Sequence, residues 1–333
     1  MSEARISMAI GRPDAAPVSR DKRFAGLIWA AIAVSIFSGW FVITRFSVTR
    51  ELRIWDITAL RFGIGAVLLA PLLIRRRATL SRAAWGDGLV FAMLWGMPFV
   101  LLVALGLSRT SAAQAASIAP TLMPLFAGIF AWAFLGERQG RQRWAGYAAI
   151  FAGLSLLVLA GTTTHEPPSL AGLGALAAAA AMWAVYTLLF RKSGLTPIES
   201  AALICSWSAL LFLPAYVLFG LSRFSQAPAA EIALQAVYQG VLMSGVAIFT
   251  FNRAVSLLGS AAATAIIALI PTVASLLAIP VLGEVPSGVE GVEGVEGVEG
   301  VEGVAIAIIV AGVLLAPRRP VTAGPVEPRG RTP

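Results

Sequence analysis

Few residues in this 333-residue chain could do covalent or redox chemistry. Its one histidine, His165, sits in the polar run Gly161-Thr162-Thr163-Thr164-His165-Glu166-Pro167-Pro168, and its one cysteine, Cys205, sits in an apolar run. Neither stands at a metal-ligand or nucleophile–base spacing, so no metal, cofactor or catalytic residue is expected. All 17 Asp and Glu fall in connectors, tails or the ends of apolar runs. Stacking and neutral hydrogen bonding remain, offered by Trp40, Trp95, Gln114, Trp183, Tyr186, Tyr238, Gln239, Ser244 and Asn252. These groups hold a molecule rather than transform it.

The elements that position them are apolar. Hydrophobic residues make up 58% of the chain and charged ones 13%, against roughly 25% charged in soluble domains, so the chain reads as an all-α integral membrane protein. A net charge of +8 raises the question of nucleic acid, but the basic residues form short clusters between apolar runs, which sets topology instead. Runs of crossing length occupy 24–44, 55–74, 87–107, 111–135, 144–161, 170–190, 197–219, 232–252, 258–282 and 303–316, giving ten expected transmembrane helices. Assigning Lys and Arg to alternate sides puts 19 of the 25 on the side of both termini and 5 on the other, with Arg61 inside the second segment. Both termini are therefore expected to be cytoplasmic. Residues 1–23 and 317–333 read as disordered tails.

One pattern occurs twice, 147 positions apart: Pro124 to Gly136-Glu137 and Pro271 to Gly283-Glu284. At an offset of 143, Trp40 matches Trp183, Asp56 matches Glu199 and Pro71 matches Pro214. The matches pair segments 1–5 with 6–10, so residues 24–161 and 170–316 read as two five-helix repeats. Five crossings per copy is odd, which inverts one copy relative to the other. The low-complexity stretch 288–303 repeats Gly-Val-Glu five times, and four of those triplets, Gly291–Glu302, exceed the repeat register. It reads as a solvated loop without the ligand variety of a calcium site.

These features resemble the EamA family of the drug/metabolite transporter superfamily. The residues carrying the resemblance run from Thr110-Ser111-Ala112-Ala113-Gln114 through Pro124 to Leu135-Gly136-Glu137, and from Leu258-Gly259-Ser260 through Pro271 to Leu282-Gly283-Glu284. Trp183-Ala184-Val185-Tyr186 and Tyr238-Gln239-Gly240 leading to Asn252-Arg253-Ala254 are also family-like. The resemblance covers about residues 24–316 and departs only at the Gly-Val-Glu expansion. It implies ten helices around a central cavity lined by segments 1, 3, 4, 6, 8 and 9, with alternating access. It also implies export of amino acids, related metabolites or amphiphiles, with a small-molecule cargo and the lipid bilayer as partners. A homodimer is compatible with that arrangement, and nucleic acid is not expected as a partner.

On that frame Trp40, Trp95, Trp183, Tyr186, Tyr238, Gln239, Asn252 and Gln114 are candidate cavity residues. Trp40 and Trp183 serve equally as interfacial anchors, and Gln114 equally as an interhelical hydrogen-bonding amide. Pro98, beside Trp95 and Gly96, and Pro120, Pro124 and Pro271 are expected kinks that free backbone carbonyls. Arg61 is expected at the outer end of segment 2, snorkelling to the interface. With no acid in mid-membrane, neutral, zwitterionic or amphipathic cargo is favoured over cationic drugs. A sugar or organic-phosphate carrier would need several cavity Lys or Arg, and an intramembrane enzyme would need a paired catalytic group. No phosphate-binding G-x-x-x-x-G-K-[ST] loop is present. Arginine outnumbers lysine 23 to 2, a bias that points to a GC-rich bacterium and its inner membrane.

Overall fold

The structure is a computed structural model that describes residues 20–136, 140–162, 169–258 and 260–283, with Val304, Ala305, Ala307, Ile308, Ala311 and Gly312. Every regular element among the described residues is helical. The first half contains α1 (Arg20–Val48), α2 (Ile54–Arg76), α3 (Arg82–Trp95), α4 (Met97–Leu107), α5 (Ala112–Leu135) and α6 (Arg141–Thr162). The second contains α7 (Leu170–Ser193), α8 (Pro197–Leu218), α9 (Ala229–Gln235), a π-helical segment (Ala236–Val246), α10 (Ala247–Leu258) and α11 (Ser260–Leu282). Seven of the described helical stretches are long and apolar enough to cross a membrane. The chain is a multi-pass membrane protein.

Nine of the ten expected segments coincide with described helices, and most of the tenth lies outside the described residues, as do Glu137, His165, Glu284, residues 1–19, the C-terminal tail and the Gly-Val-Glu stretch. Residues 20–23, expected in the disordered tail, instead form the first turn of α1, where Asp21 suits the positive end of the helix dipole. The outer surface is apolar: Val67, Phe134, Leu218 and Phe249 are all more than half exposed. In water that would be an aggregation liability, whereas lipid solvates it.

Helix starts follow local chemistry. Ser81 Oγ accepts the Ala84 N–H, and Thr196 Oγ1 accepts the Glu199 N–H while Pro197 fills the first turn, where its missing N–H costs nothing. Gly136 and Gly283 end α5 and α11 with φ of 66° and 69°. That left-handed geometry excludes most side chains, which accounts for the glycine in both copies of the repeated pattern.

Two of the segments are interrupted. Segment 3 breaks at Gly96, where the freed Met97 N–H donates to Ser208 Oγ of α8 at 3.2 Å. A Cβ on Gly96 would collide with that hydroxyl, so glycine and Pro98 together set the break. Segment 8 contains the π-helical stretch, in which Ser244 Oγ donates to the Gln239 carbonyl five residues back, at 3.1 Å. Such wide turns are frequent at functional sites. Pro120 and Pro124 lie within α5 and Pro271 within α11, as the sequence predicts.

Packing relies on small residues. α5 lies against α7, where Ala115, Ala116, Ala119, Ala179 and Ala180 are almost fully buried. Without a hydrophobic driving force in lipid, such close backbone approach supplies the dispersion energy that holds helices together.

Candidate functional site

The break at Gly96 aims Trp95 and Phe99 at α7. Trp95 stacks on Tyr186 at 4.8 Å between ring centres with 10° between planes, and on Trp183 at 6.0 Å and 25°. Trp183 and Tyr186 stand three residues apart on one helix face, the spacing that lets both reach the same ring. Phe99 meets Trp183 edge-on at 6.0 Å and stacks with Trp40 of α1 at 6.3 Å and 15°. At the far end the Arg61 guanidinium of α2 lies 5.1 Å from the Trp40 ring centre. Five helices from both halves of the chain thus build one aromatic column running from Arg61 through Trp40 and Phe99 to Trp183, Trp95 and Tyr186. Each ring pair is worth about 0.5–1.5 kcal/mol beyond the area it buries.

Beside the column lies a saturated polar cluster. Gln239 accepts the Trp40 indole N–H at 2.9 Å and donates to Thr44 Oγ1 at 2.8 Å and Gln235 Oε1 at 3.1 Å. Gln235 donates to Ser47 Oγ at 2.9 Å and the Ile43 carbonyl at 2.6 Å. Tyr238 Oη donates to the Ile36 carbonyl at 3.1 Å, an approach that a Cβ on Gly39 would block. Tyr238 and Gln239 are therefore spent on holding the π-helical segment against α1. Trp40 belongs to both regions, its face in the column and its N–H in the cluster.

Gln114 takes a third kind of position. Its Oε1 accepts the Ser111 N–H at 3.3 Å while Ser111 Oγ accepts the Gln114 N–H at 3.1 Å, which closes a capping box at the start of α5. The side chain is half-buried at a helix end rather than turned into the bundle centre. The Asn252 side chain lies outside the described residues. An open apolar groove between α2 and α8, floored by Ala66, Ala70, Ala209 and Pro214, contains none of the expected site residues and faces outward.

The largest departure from expectation concerns Arg61. Instead of snorkelling, it is 6% exposed, and its Nη1 has no hydrogen-bond partner. Asp56, five residues earlier, is fully buried but already engaged: it accepts from Tyr216 Oη at 2.5 Å, the Arg223 N–H at 2.9 Å and the Arg53 N–H at 2.8 Å. Trp95 Nε1 is likewise a buried donor without a partner. Two unsatisfied donors therefore sit on one aromatic column. Gln235 and Phe99 complete these regions and were not among the expected residues; Gln235 was recognisable as the residue one turn before Gln239 on the same face.

The EamA-like transporter family profile matches residues 24–159 and 170–318, nearly all of the described chain. The chain belongs to the EamA-like transporter family. A curated relative from Streptantibioticus cattleyicolor, described as a "Probable terminal-alkyne amino-acid exporter", is 33% identical over 179 residues. That match covers 52% of this chain and 58% of the relative, so it spans less than two thirds of the relative's length. A solved structure titled "Crystal structure of protein" shares the fold, with a TM-score of 0.57 and 23% identity over 88% of this chain and 96% of that one. Family membership and the apolar outer surface together point to membrane transport.

Proposed function

We propose that this EamA-like chain exports small neutral, zwitterionic or amphipathic metabolites, amino acids among them, by secondary-active or facilitated alternating access. Ten crossings arranged as two inverted five-helix repeats surround the path, in a bacterial inner membrane with both termini cytoplasmic. The observation that carries the proposal is the aromatic column: Trp40 and Trp183, matched across the repeat, converge from α1 and α7 on Phe99. A mostly apolar surface with a few polar points suits an amphipathic molecule and lets it leave again.

The packing supports the repeat. Exchanging the halves turns the α5–α7 contact into α11–α1 and the α4–α7 contact into α10–α1, and both pairs are present. Asp56 and Glu199 each accept the backbone N–H three residues earlier, at the starts of α2 and α8, and Pro71 and Pro214 each lie inside those helices. Such repeats place the binding site at their interface, where rocking of one against the other exposes it to either side. The curated relative's description agrees with an amino-acid-like cargo.

Counterflow in proteoliposomes against a panel of amino acids and metabolites, with and without a pH gradient, tests this. Uptake of labelled amino acid driven by unlabelled amino acid inside is expected. Acceleration by an imposed proton gradient would assign proton coupling, and absence of exchange for the entire panel would overturn the proposal.

A further inference from the structure

We infer that Arg61 is the receptor for a carboxylate group of the cargo, held at one end of the aromatic column whose rings take the cargo's apolar part. The inference rests on the proposed export function and names the chemistry by which that site recognises its ligand. A guanidinium buried in a membrane protein is costly unless paired, and intramembrane cations ordinarily find carboxylates or backbone carbonyls. Arg61 finds neither: no described carboxylate forms an ion pair with it, and Nη1 donates to nothing.

Its surroundings explain why the unpartnered donor suits an anion. Trp40 and Phe62 rings lie 5.1 and 5.8 Å from its Cζ, and these hold a cation loosely without using its N–H donors. The neighbouring polar groups are neutral. One turn along α2, a Cβ on Gly65 would fall within 2.9 Å of Ser244 Oγ and Cys205 Sγ, and Ser244 Oγ also approaches the Arg61 carbonyl at 3.4 Å. Asp56 is withdrawn by its three donors, from Arg53 just before α2, from α8 and from the connector that follows α8. The planar guanidinium therefore offers Nη1 without a hydrogen-bond partner among the described residues, and its fork geometry is the one that binds a carboxylate through two parallel hydrogen bonds.

An α-amino acid also carries an ammonium group, for which the Trp40 and Trp183 faces are suitable partners. The same molecule without its carboxylate would lose the Arg61 contact and gain a repulsive neighbour. Discrimination between an amino acid and its decarboxylated amine follows, and a purely structural Arg61 would not produce it.

The test is counterflow with matched pairs: L-propargylglycine against but-3-yn-1-amine, L-leucine against isoamylamine, and L-phenylalanine against phenethylamine. Wild type should exchange at least one of the acids with a KM ten-fold or more below that of its amine. Arg61→Gln should raise the KM of the acid about ten- to hundred-fold, the loss expected when a charge-assisted pair is removed, and leave the amine unchanged. Arg61→Lys should fall between them; if Arg61→Gln does not assemble, an unchanged acid KM in Arg61→Lys overturns the inference. Equal exchange of acids and amines by wild type, or an acid KM unaltered in Arg61→Gln, overturns the role of Arg61 while leaving the exporter standing. No exchange of any pair overturns the inference, and absence of exchange across the wider amino-acid and metabolite panel overturns the exporter as well. Competition by sodium chloride at constant osmolarity without competition among the acids would reassign Arg61 as a halide site, against the inference.

Discussion

Two polar regions meet at Trp40 and differ in one respect: whether their hydrogen-bonding groups are used. In the cluster around Gln239 the donors of both glutamines and the Trp40 N–H have partners. Along the aromatic column, Arg61 Nη1 and Trp95 Nε1 have none. Folding alone accounts for the first, because an unmade hydrogen bond in an apolar interior costs about 1–3 kcal/mol and a saturated network avoids that cost. It does not account for the second, since the same rule should have removed or paired those donors. The contrast separates residues that hold helices together from residues whose donors remain open to a ligand, although Trp40, Trp95, Tyr238 and Gln239 were expected from sequence as one set.

The comparison breaks first at Gln239. Gln239→Leu should orphan the Trp40 N–H and Gln235 Oε1, destabilising the protein by about 4 kcal/mol in unfolding measurements in micelles, with the amino-acid KM of the folded fraction little changed. Equal stability would mean that the cluster is not structural. Next comes the pair matched across the repeat. Asp56→Ala leaves three donors unsatisfied and should cost about 3 kcal/mol, whereas Glu199→Ala should cost about 1, its carboxylate serving mainly Thr196. The 3.9 Å approach of Glu199 to Arg76 adds little, because Arg76 is more than half exposed.

On the column the expected effect moves from stability to recognition. Trp183→Ala should raise the amino-acid KM about ten-fold in counterflow, in line with a single aromatic contact, while the unfolding midpoint shifts little because Trp183 is only half-buried. A large loss of stability with unchanged KM would place the column with the structural cluster. The smallest effect belongs to the Gly-Val-Glu stretch: removing Gly291–Glu302 restores the repeat register and should leave transport at the wild-type rate.

Hydropathy made the helices legible, because lipid imposes one rule on every crossing and the chain must show it over about 20 residues. The repeat made Trp40 and Trp183 legible as partners. What stayed hidden depended on contacts between distant segments. Phe99 is one of 17 phenylalanines, and nothing in its neighbourhood separates it from those facing lipid. Arg61 looked like an interfacial cation because Asp56 stands close in sequence, but Tyr216 and Arg223, more than 150 positions away, claim that carboxylate. Gln114 was misplaced for a local reason: Ser111-x-x-Gln114 reads as a capping box once the helix is allowed to begin at Ala112. The π-helical stretch Ala236–Val246 has no composition of its own and is visible only in the backbone, where Ser244 Oγ also reaches the carbonyl five residues back.

The central claim is that cargo touches the aromatic column. Cys205 is the chain's only cysteine, so Trp183→Cys in a Cys205→Ser background offers one thiol at the column. Its alkylation rate in proteoliposomes, with and without an amino acid that the wild type exchanges, measures contact directly. Saturating amino acid should slow alkylation several-fold, while its decarboxylated amine should protect much less. Alkylation at the same rate with and without the exchanged amino acid would contradict the account.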